Sequence, residues 1–467
     1  MKNSKQAGTS LLRNKVYVRM YTAFATATFG DWFDALAIQV MVGYRWQASP
    51  LMLALIPISM ALPGIILGSI AGVAADRLNK LQLMRLCDLL TALLTLVVLL
   101  APSMVWLLPV LMLRAAVSTL NVPAQQSMTR SIVREDQLLQ ATSLNGLVNQ
   151  GSKIAGPLLG GLALSLLSPH WCIVLNAGLR LCSFLLLLTI NKEAGARQAG
   201  GVERGEAAGF AAAGTLETAI PDTAGGEAQE PRVPLRTLWR EGWSFLLSSR
   251  LLLSTMLFGL TGALAIQMID FQFTSLFRDI APAEEAMLGW MVAASGAGAI
   301  LMIMLMGKLN QGTGYGWKLG TGYALIGAAV VGLGLLQPGV SVLPVLLLGF
   351  VLGAGNGIFL ITFNYCLQKE TPPSMTGRIF GIQNTVLSTV MIVAPLLGGL
   401  LVEFAGPGVI FVSFGAVIAL LGLLGIGLGR VLWPVARELG AEAQVAEHSA
   451  RVNDSRVKVG SGAGDPQ

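Results

Sequence analysis

Residues 156–164 read Gly-Pro-Leu-Leu-Gly-Gly-Leu-Ala-Leu inside a long apolar run, and the hexapeptide Pro157-Leu158-Leu159-Gly160-Gly161-Leu162 returns letter for letter as Pro395-Leu396-Leu397-Gly398-Gly399-Leu400. Two copies about half a chain apart predict an internal duplication. A proline in mid-run deletes a backbone donor and kinks a helix, and adjacent glycines admit a neighbouring helix at close range. The solvent for such helices follows from composition. Of 467 residues 54% are hydrophobic and only 12% charged, with a mean hydropathy of +0.67, against roughly 25% charged residues in soluble proteins. Apolar runs of about 20 residues, enough to cross ~30 Å of hydrocarbon, recur along nearly the whole chain. The bilayer is the solvent, and runs this long and continuous span it as helices rather than barrel strands.

Punctuation by Gly, Pro and charge predicts spans over residues 16–44, 51–75, 81–100, 104–121, 139–167 and 171–190, then 251–273, 287–306, 319–336, 343–363, 379–402 and 409–431. The predicted fold is an all-α integral membrane protein of twelve transmembrane helices in two pseudo-symmetric six-helix bundles, residues 1–195 and 238–434. A polar stretch rich in Gly, Ala and Glu, residues 196–237, reads as a cytoplasmic linker, and residues 435–467 as a cytoplasmic tail. An even number of helices per half makes the repeat parallel about an axis along the membrane normal. Of the 31 Lys and Arg residues, Arg45 and Arg278 fall outside and Arg114, Lys153 and Arg180 within spans when both termini are placed in the cytoplasm; every other one falls inside. That asymmetry sets the orientation. The chain is therefore expected in the bacterial inner membrane as a multi-pass monomer.

Cys87, Cys172, Cys182 and Cys366 are scattered without C-x-x-C spacing, so they suggest neither a disulfide framework nor a metal site. The net charge of +6 lies beside the membrane and implies no nucleic-acid partner. Histidine is confined to His170 and His448, and no metalloprotease, nucleophile-elbow or phosphate-loop pattern occurs. The expectation is a protein that is not an enzyme and uses no cofactor.

Gly64, Gly68 and Gly72 recur every four residues in the second span, as do Gly349, Gly353 and Gly357 in the tenth, and both ladders read first as helix packing. The short loop after the second span carries Gly72-x-x-x-Asp76-Arg77-Leu78-Asn79-Lys80. In this loop the chain resembles the major facilitator superfamily, with Asn79 and Leu81 in place of that motif's second glycine and second basic residue. The resemblance is closest to the drug:proton antiporter branch of macrolide-type and enterobactin exporters, through Gly30-Asp31, Pro63, Asp88, Pro123-Ala124 and Gly377-Arg378. It covers essentially the whole chain apart from linker and tails. It implies a gating role for Gly72, Asp76, Arg77, Lys80 and Arg378. It also identifies Gly156-Pro157-x-x-Gly160-Gly161 with the fifth-span motif of antiporters, and Arg114 with an arginine tied to proton transfer.

Ionisable residues inside a membrane cost about 2.5–3.5 kcal/mol each on insertion scales, so they face a protein interior or a water-filled path. Asp31 and Asp34 stand three apart on one helical face, suited to loading and releasing a proton, with Arg114 as partner. Lys153 and Arg180 lie outside the family pattern and favour an anionic or zwitterionic cargo. With Trp32, Asn145, Asn149, Asp270, Asn356 and Asn364 they are the candidates for a substrate cavity. The function expected is proton-coupled efflux of a small amphipathic molecule, such as a drug, macrolide or siderophore, by alternating access. A fixed ion-pair network, a lysophospholipid flippase of the same fold and a non-transporting sensor are the alternatives. The topology has a direct check: in a cysteine-free background Ser103→Cys reacts with membrane-impermeant maleimide on intact cells, and Lys80→Cys reacts only after permeabilisation. The reverse pattern overturns the orientation.

Overall fold

The computed structural model describes residues 11–190, 235–308, 314–372 and 375–433; most of the 196–237 linker and the whole 435–467 tail lie outside the described residues. Polar residues at the loop ends start the helices. Asn14 accepts from the backbone N–H groups of Val16 and Tyr17 at the head of α1 (Lys15–Val40), Ser49 from Met52 at α2 (Pro50–Arg77), and Asn79 from Gln82 at α3 (Lys80–Val98). One turn of π-helix, Met41–Arg45, extends α1. Helices α4 (Met104–Ile132), α5 (Glu135–Leu166) and α6 (Pro169–Leu188) complete the first set. The second comprises α7 (Leu235–Ser248), α8 (Arg250–Asp270), α9 (Phe273–Ile280), α10 (Ala286–Lys308), α11 (Tyr315–Gly334), α12 (Val342–Glu370), α13 (Thr376–Ala405), α14 (Pro407–Gly427) and the short α15 (Gly429–Leu432).

Among the described residues nine helices are long and apolar enough to cross a membrane: α2, α3, α4, α6, α8, α10, α12, α13 and α14. The remaining long helices, α1, α5 and α11, are diluted by polar residues, among them Asp31 and Asp34, Asn145 and Lys153, and Lys318. Where the seventh span was expected to run unbroken through residue 273, the chain turns at Phe271 and Gln272 and starts α9 afresh. Residues 235–237, expected as the end of the linker, open α7 instead.

Side-chain polarity is inverted relative to a soluble bundle. On α3, Asp88, Thr91 and Thr95 are buried at i, i+3 and i+7 while Leu86, Leu90, Leu93 and Leu96 are exposed. On α6, Asn176, Arg180 and Ser183 are buried while Leu175, Leu181 and Leu185 are exposed. The two polar stripes belong to helices that pack on each other. A helix surrounded by hydrocarbon gains nothing by hiding leucine and loses much by showing a charge, so the polar stripe turns inward.

Helix pairing repeats between the two sets. Within the first, α1 packs on α5 and α6, α2 on α4, and α3 on α4 and α6; within the second, α8 packs on α13 and α14, α10 on α12, and α11 on α12 and α14. The sets meet through α5 with α10 and through α13 with α2, a pair of contacts that exchange under the same two-fold relation. The duplicated hexapeptide makes both. A Cβ at Gly160 would meet the Trp32 carbonyl oxygen of α1 at 2.5 Å, and one at Gly161 would meet the Ala293 nitrogen of α10 at 2.5 Å. In the second copy Gly398 abuts the Met268 backbone of α8, and Gly399 faces the Pro50 carbonyl oxygen of α2 at 2.8 Å. The first glycine therefore presses on the leading helix of its own set and the second on the opposite set. Gly349, Gly353 and Gly357 bring α12 onto the Met291, Ser295 and Ala299 backbone of α10, as a packing ladder should. Gly64 and Gly68 of α2 make no comparable approach.

Contacts between the sets close the end of the bundle away from Leu11 and Trp433. Arg278 of α9 donates to the carbonyl oxygen of Ala48 at 2.8 Å, Gln272 to that of Pro50 at 3.0 Å, and Gly43 lies against Thr274. Toward the opposite end, Gly68 of α2, Gly146 and Gly151 of α5 and Gly381 of α13 have open space where a Cβ would stand. Among the described residues, hydrogen bonds between the sets lie at one end, and glycines with room for a side chain lie toward the other. This difference predicts opposite outcomes for the same substitution. Gly161→Ala overpacks the α5–α10 contact and costs about 1–3 kcal/mol, whereas Gly151→Ala is neutral or gains up to about 1 kcal/mol of helix propensity. Thermal unfolding of the purified protein in detergent reads both, and equal midpoints would refute the close-contact account.

Candidate functional site

One turn of α1 brings Asp31, Trp32 and Asp34 to the centre of the first helical set. Asp34 is fully buried, and Arg114 of α4 donates Nη1 to its Oδ2 and, at 3.4 Å, to Thr95 Oγ1. Asp31 accepts from Arg180 Nη2 of α6 on both oxygens, at 2.7 and 2.5 Å, and its side chain stays 43% exposed. Arg180 turns its other nitrogen, Nη1, toward Asp88 Oδ1 of α3 at 3.3 Å. Asp88 further accepts from Asn121 at 3.0 Å and Ser183 at 2.5 Å. The cluster ties α1, α3, α4 and α6 together with three carboxyl groups and two guanidiniums, an excess of one negative charge when all are ionised. Asp34 Oδ1 is buried, with the side-chain amide of Asn176 beside it.

On the other side of α1 a cavity of about 650 Å³ lies between the two helical sets. Trp32 and Gln39 of α1, Met60 of α2, and Lys153 and Pro157 of α5 form one wall. Asp270 and Gln267 of α8, Phe271 and Phe273 beyond it, Met291 of α10, Asn356 of α12 and Met391 of α13 form the other. Two glycines of α5 fix this wall, because Gly156 lies against the Trp32 ring and Gly160 against its carbonyl. A side chain at either position would drive Trp32 out of place.

Of the residues expected at a substrate cavity, Trp32, Lys153, Asp270 and Asn356 line it together. Arg180 stands behind Asp31 in the charge cluster. Asn145 donates to Thr129 Oγ1 at 3.4 Å, Asn149 to the Asn145 carbonyl at 3.3 Å, and Asn364 to the Leu360 carbonyl at 2.8 Å; none of the three lines the cavity. Among the gating candidates, Arg77 is exposed at the end of α2 and Lys80 begins α3. Gly72 and Asp76 belong to the last turns of α2, and their surroundings lie outside the described residues. Arg378 holds α7 against α13, donating to Glu241 at 2.6 Å. In the sequence Asp88 stands out only through the family resemblance. Its signal was available, since it lies two turns inside an apolar run where an acid needs a partner.

Removing one partner of a buried ion pair strands the other, at about 3–5 kcal/mol. Arg114→Leu is therefore expected to lower the unfolding midpoint sharply, and the double variant Arg114→Leu with Asp34→Leu to recover most of the loss. A double variant no more stable than the single would show that the pair does not act as a unit.

Comparison with known proteins agrees with this architecture. Family models of the Major Facilitator Superfamily match residues 20–395 and 283–451. The chain is 28% identical over 418 residues to the uncharacterized MFS-type transporter YfiS of Bacillus subtilis (strain 168), covering 89% of this chain and 93% of that one. It is 23% identical to the multidrug efflux pump Tap of Mycolicibacterium fortuitum over 91% and 98% of the two chains. The nucleoside transporter NupG shares the fold with a TM-score of 0.62 at 12% identity, over 89% of this chain and 99% of the other. A bacterial homolog of the human lysosomal transporter Spinster, in an inward-facing and unoccupied conformation, gives 0.60 at 14% identity over 91% and 97%. With a family model running across most of its length and the matching two-fold helix arrangement, the chain is a member of the major facilitator superfamily, a family of membrane transporters.

Proposed function

We propose that the protein exports a small amphipathic molecule from the bacterial cytoplasm in exchange for protons, by alternating access. The carrying observation is the cluster of Asp31, Asp34, Asp88, Arg114 and Arg180, buried except at Asp31 and one negative charge in excess, set behind the cavity wall. One proton neutralises that excess. On Asp34 it would also give the carboxyl group a donor beside the Asn176 amide. Deprotonation restores a net charge in a region of low dielectric, and the cost of that charge biases the arrangement of the helices that carry it.

Two further observations support exchange across a membrane. With both termini in the cytoplasm, as the charge asymmetry predicts, the hydrogen bonds between the two helical sets lie at the outer end, which suits a cavity that loads from the cytoplasm. Trp32 lines the cavity from between the two aspartates, so cargo and proton act on the same turn of α1. The likeness to the efflux pump Tap supports the direction of transport.

The test uses everted membrane vesicles and a panel of drugs, with and without a proton gradient. Gradient-driven accumulation is expected for the natural sequence and is lost at least tenfold in Asp34→Asn and Asp31→Asn, with each variant still present in the membrane in folded form. Full transport by both variants would remove the proton role.

A further inference from the structure

The cavity contains two charged side chains that the internal cluster does not employ. Lys153 stands on α5 of the first helical set and Asp270 at the end of α8 in the second, and both line the same space. Among the described residues neither has an ion-pair or hydrogen-bond partner, in contrast to Asp31, Asp34, Asp88, Arg114 and Arg180. Around them the wall is mainly apolar and adaptable, with Trp32, Met60, Met291 and Met391. A protein that neutralises its other membrane-buried charges with paired hydrogen bonds has a reason to leave two of opposite sign facing an empty-shaped space: they await groups carried by the cargo.

We infer that the cavity selects zwitterionic amphiphiles, taking the cargo's anionic group at Lys153 and its cationic group at Asp270, with the apolar body between methionines and Trp32. This rests on the transport reading of the same cavity and narrows it. A purely cationic cargo would satisfy Asp270 and bring a like charge toward Lys153. A purely anionic one does the reverse, and a neutral one desolvates both without compensation. Because the two residues belong to opposite halves, only a molecule bearing both charges engages both halves at once. Asn356 and Gln39 add hydrogen-bonding groups without changing that charge pattern.

The experiment compares equilibrium binding of matched pairs to the purified full-length protein in detergent: rhodamine B against its ethyl ester, and ciprofloxacin against its ethyl ester. Each ester keeps the cation and loses the carboxylate. The zwitterion of at least one pair is expected to bind tenfold or more tightly than its ester. Lys153→Gln should erase that preference and Lys153→Arg keep it, while Asp270→Asn weakens zwitterion and ester alike by about tenfold. The inference is overturned if neither zwitterion outbinds its ester, whether both bind or neither does. Persistence of the preference in Lys153→Gln overturns it too. So does a variant set that alters flux but leaves the binding ratio intact, the signature of a gate pair between Lys153 and Asp270. Binding needs no gradient, so a protein that keeps the preference yet fails to couple to protons would sink the export reading and leave this one standing.

Discussion

Arg180 and Arg114 hold three acids, of which Asp34 and Asp88 are buried with both arginines while Asp31 keeps an exposed side, and the rest of the first helical set is arranged to let them. Each helix of the cluster contributes a polar stripe on one side and leucine on the other. Asp88, Thr91 and Thr95 of α3 are buried against Asn176, Arg180 and Ser183 of α6 while leucines of both helices remain exposed. Hydrophobic burial does little to bring helices together in hydrocarbon, because the lipid offers leucine an equally good environment. Association therefore depends on close packing and on interactions the lipid cannot supply, and a guanidinium shared between Asp31 and Asp88 is such an interaction.

Close packing supplies the second half of the architecture, and it is written in glycines. Gly160 and Gly398 let α5 and α13 press on the leading helix of their own set, and Gly161 and Gly399 let the same helices press on the opposite set. The duplicated hexapeptide is thus a two-sided contact repeated by symmetry. It also reaches the charge cluster, since Gly156 and Gly160 hold Trp32, whose neighbours Asp31 and Asp34 bind the two arginines. From guanidinium to aspartate, along the backbone to Trp32, to the glycines of α5, to the backbone of α10, each step is a hydrogen bond, a peptide bond or a van der Waals contact. Interfaces of this kind have few intermediate arrangements, because a glycine seam either meets its partner backbone or parts from it.

Much of this was legible in the sequence, for physical reasons that can be named. Apolar length fixes spans, and a repeated Pro-Leu-Leu-Gly-Gly-Leu is too long to recur casually in two mid-run positions. A carboxylate inside an apolar run has to be explained, which brought Asp31, Asp34, Arg114, Lys153, Arg180 and Asp270 forward together. The sequence could not divide those charges between an internal cluster and a cavity, because the division depends on which way each helix is rotated. Arg180 and Lys153 look alike on paper; one is buried at 4% exposure between Asp31 and Asp88, and the other lines the cavity. Asn145, Asn149 and Asn364 looked equally suited to bind cargo and instead bond a threonine or their own helix. The break at Phe271 and Gln272 was hidden for a different reason: both residues suit a helix, and the turn comes from α9 packing back against the π-helical turn and α10.

The division of charges is itself informative about what moves. A paired and hydrogen-bonded cluster behind the wall has its polar partners in the protein and lacks only a proton, the smallest thing that can change its charge. The charges in the cavity, Lys153 and Asp270, have no partner among the described residues. Trp32 separates the two environments by the thickness of one side chain, with Asp31 and Asp34 on either side of it in sequence. An aromatic ring wedged against glycines has little room to yield, so cargo that displaces it must disturb either α1 or its seam with α5. Both belong to the same mechanical unit as the ion pairs. In the proposed exchange, protonation and cargo would act on one helix turn from opposite faces.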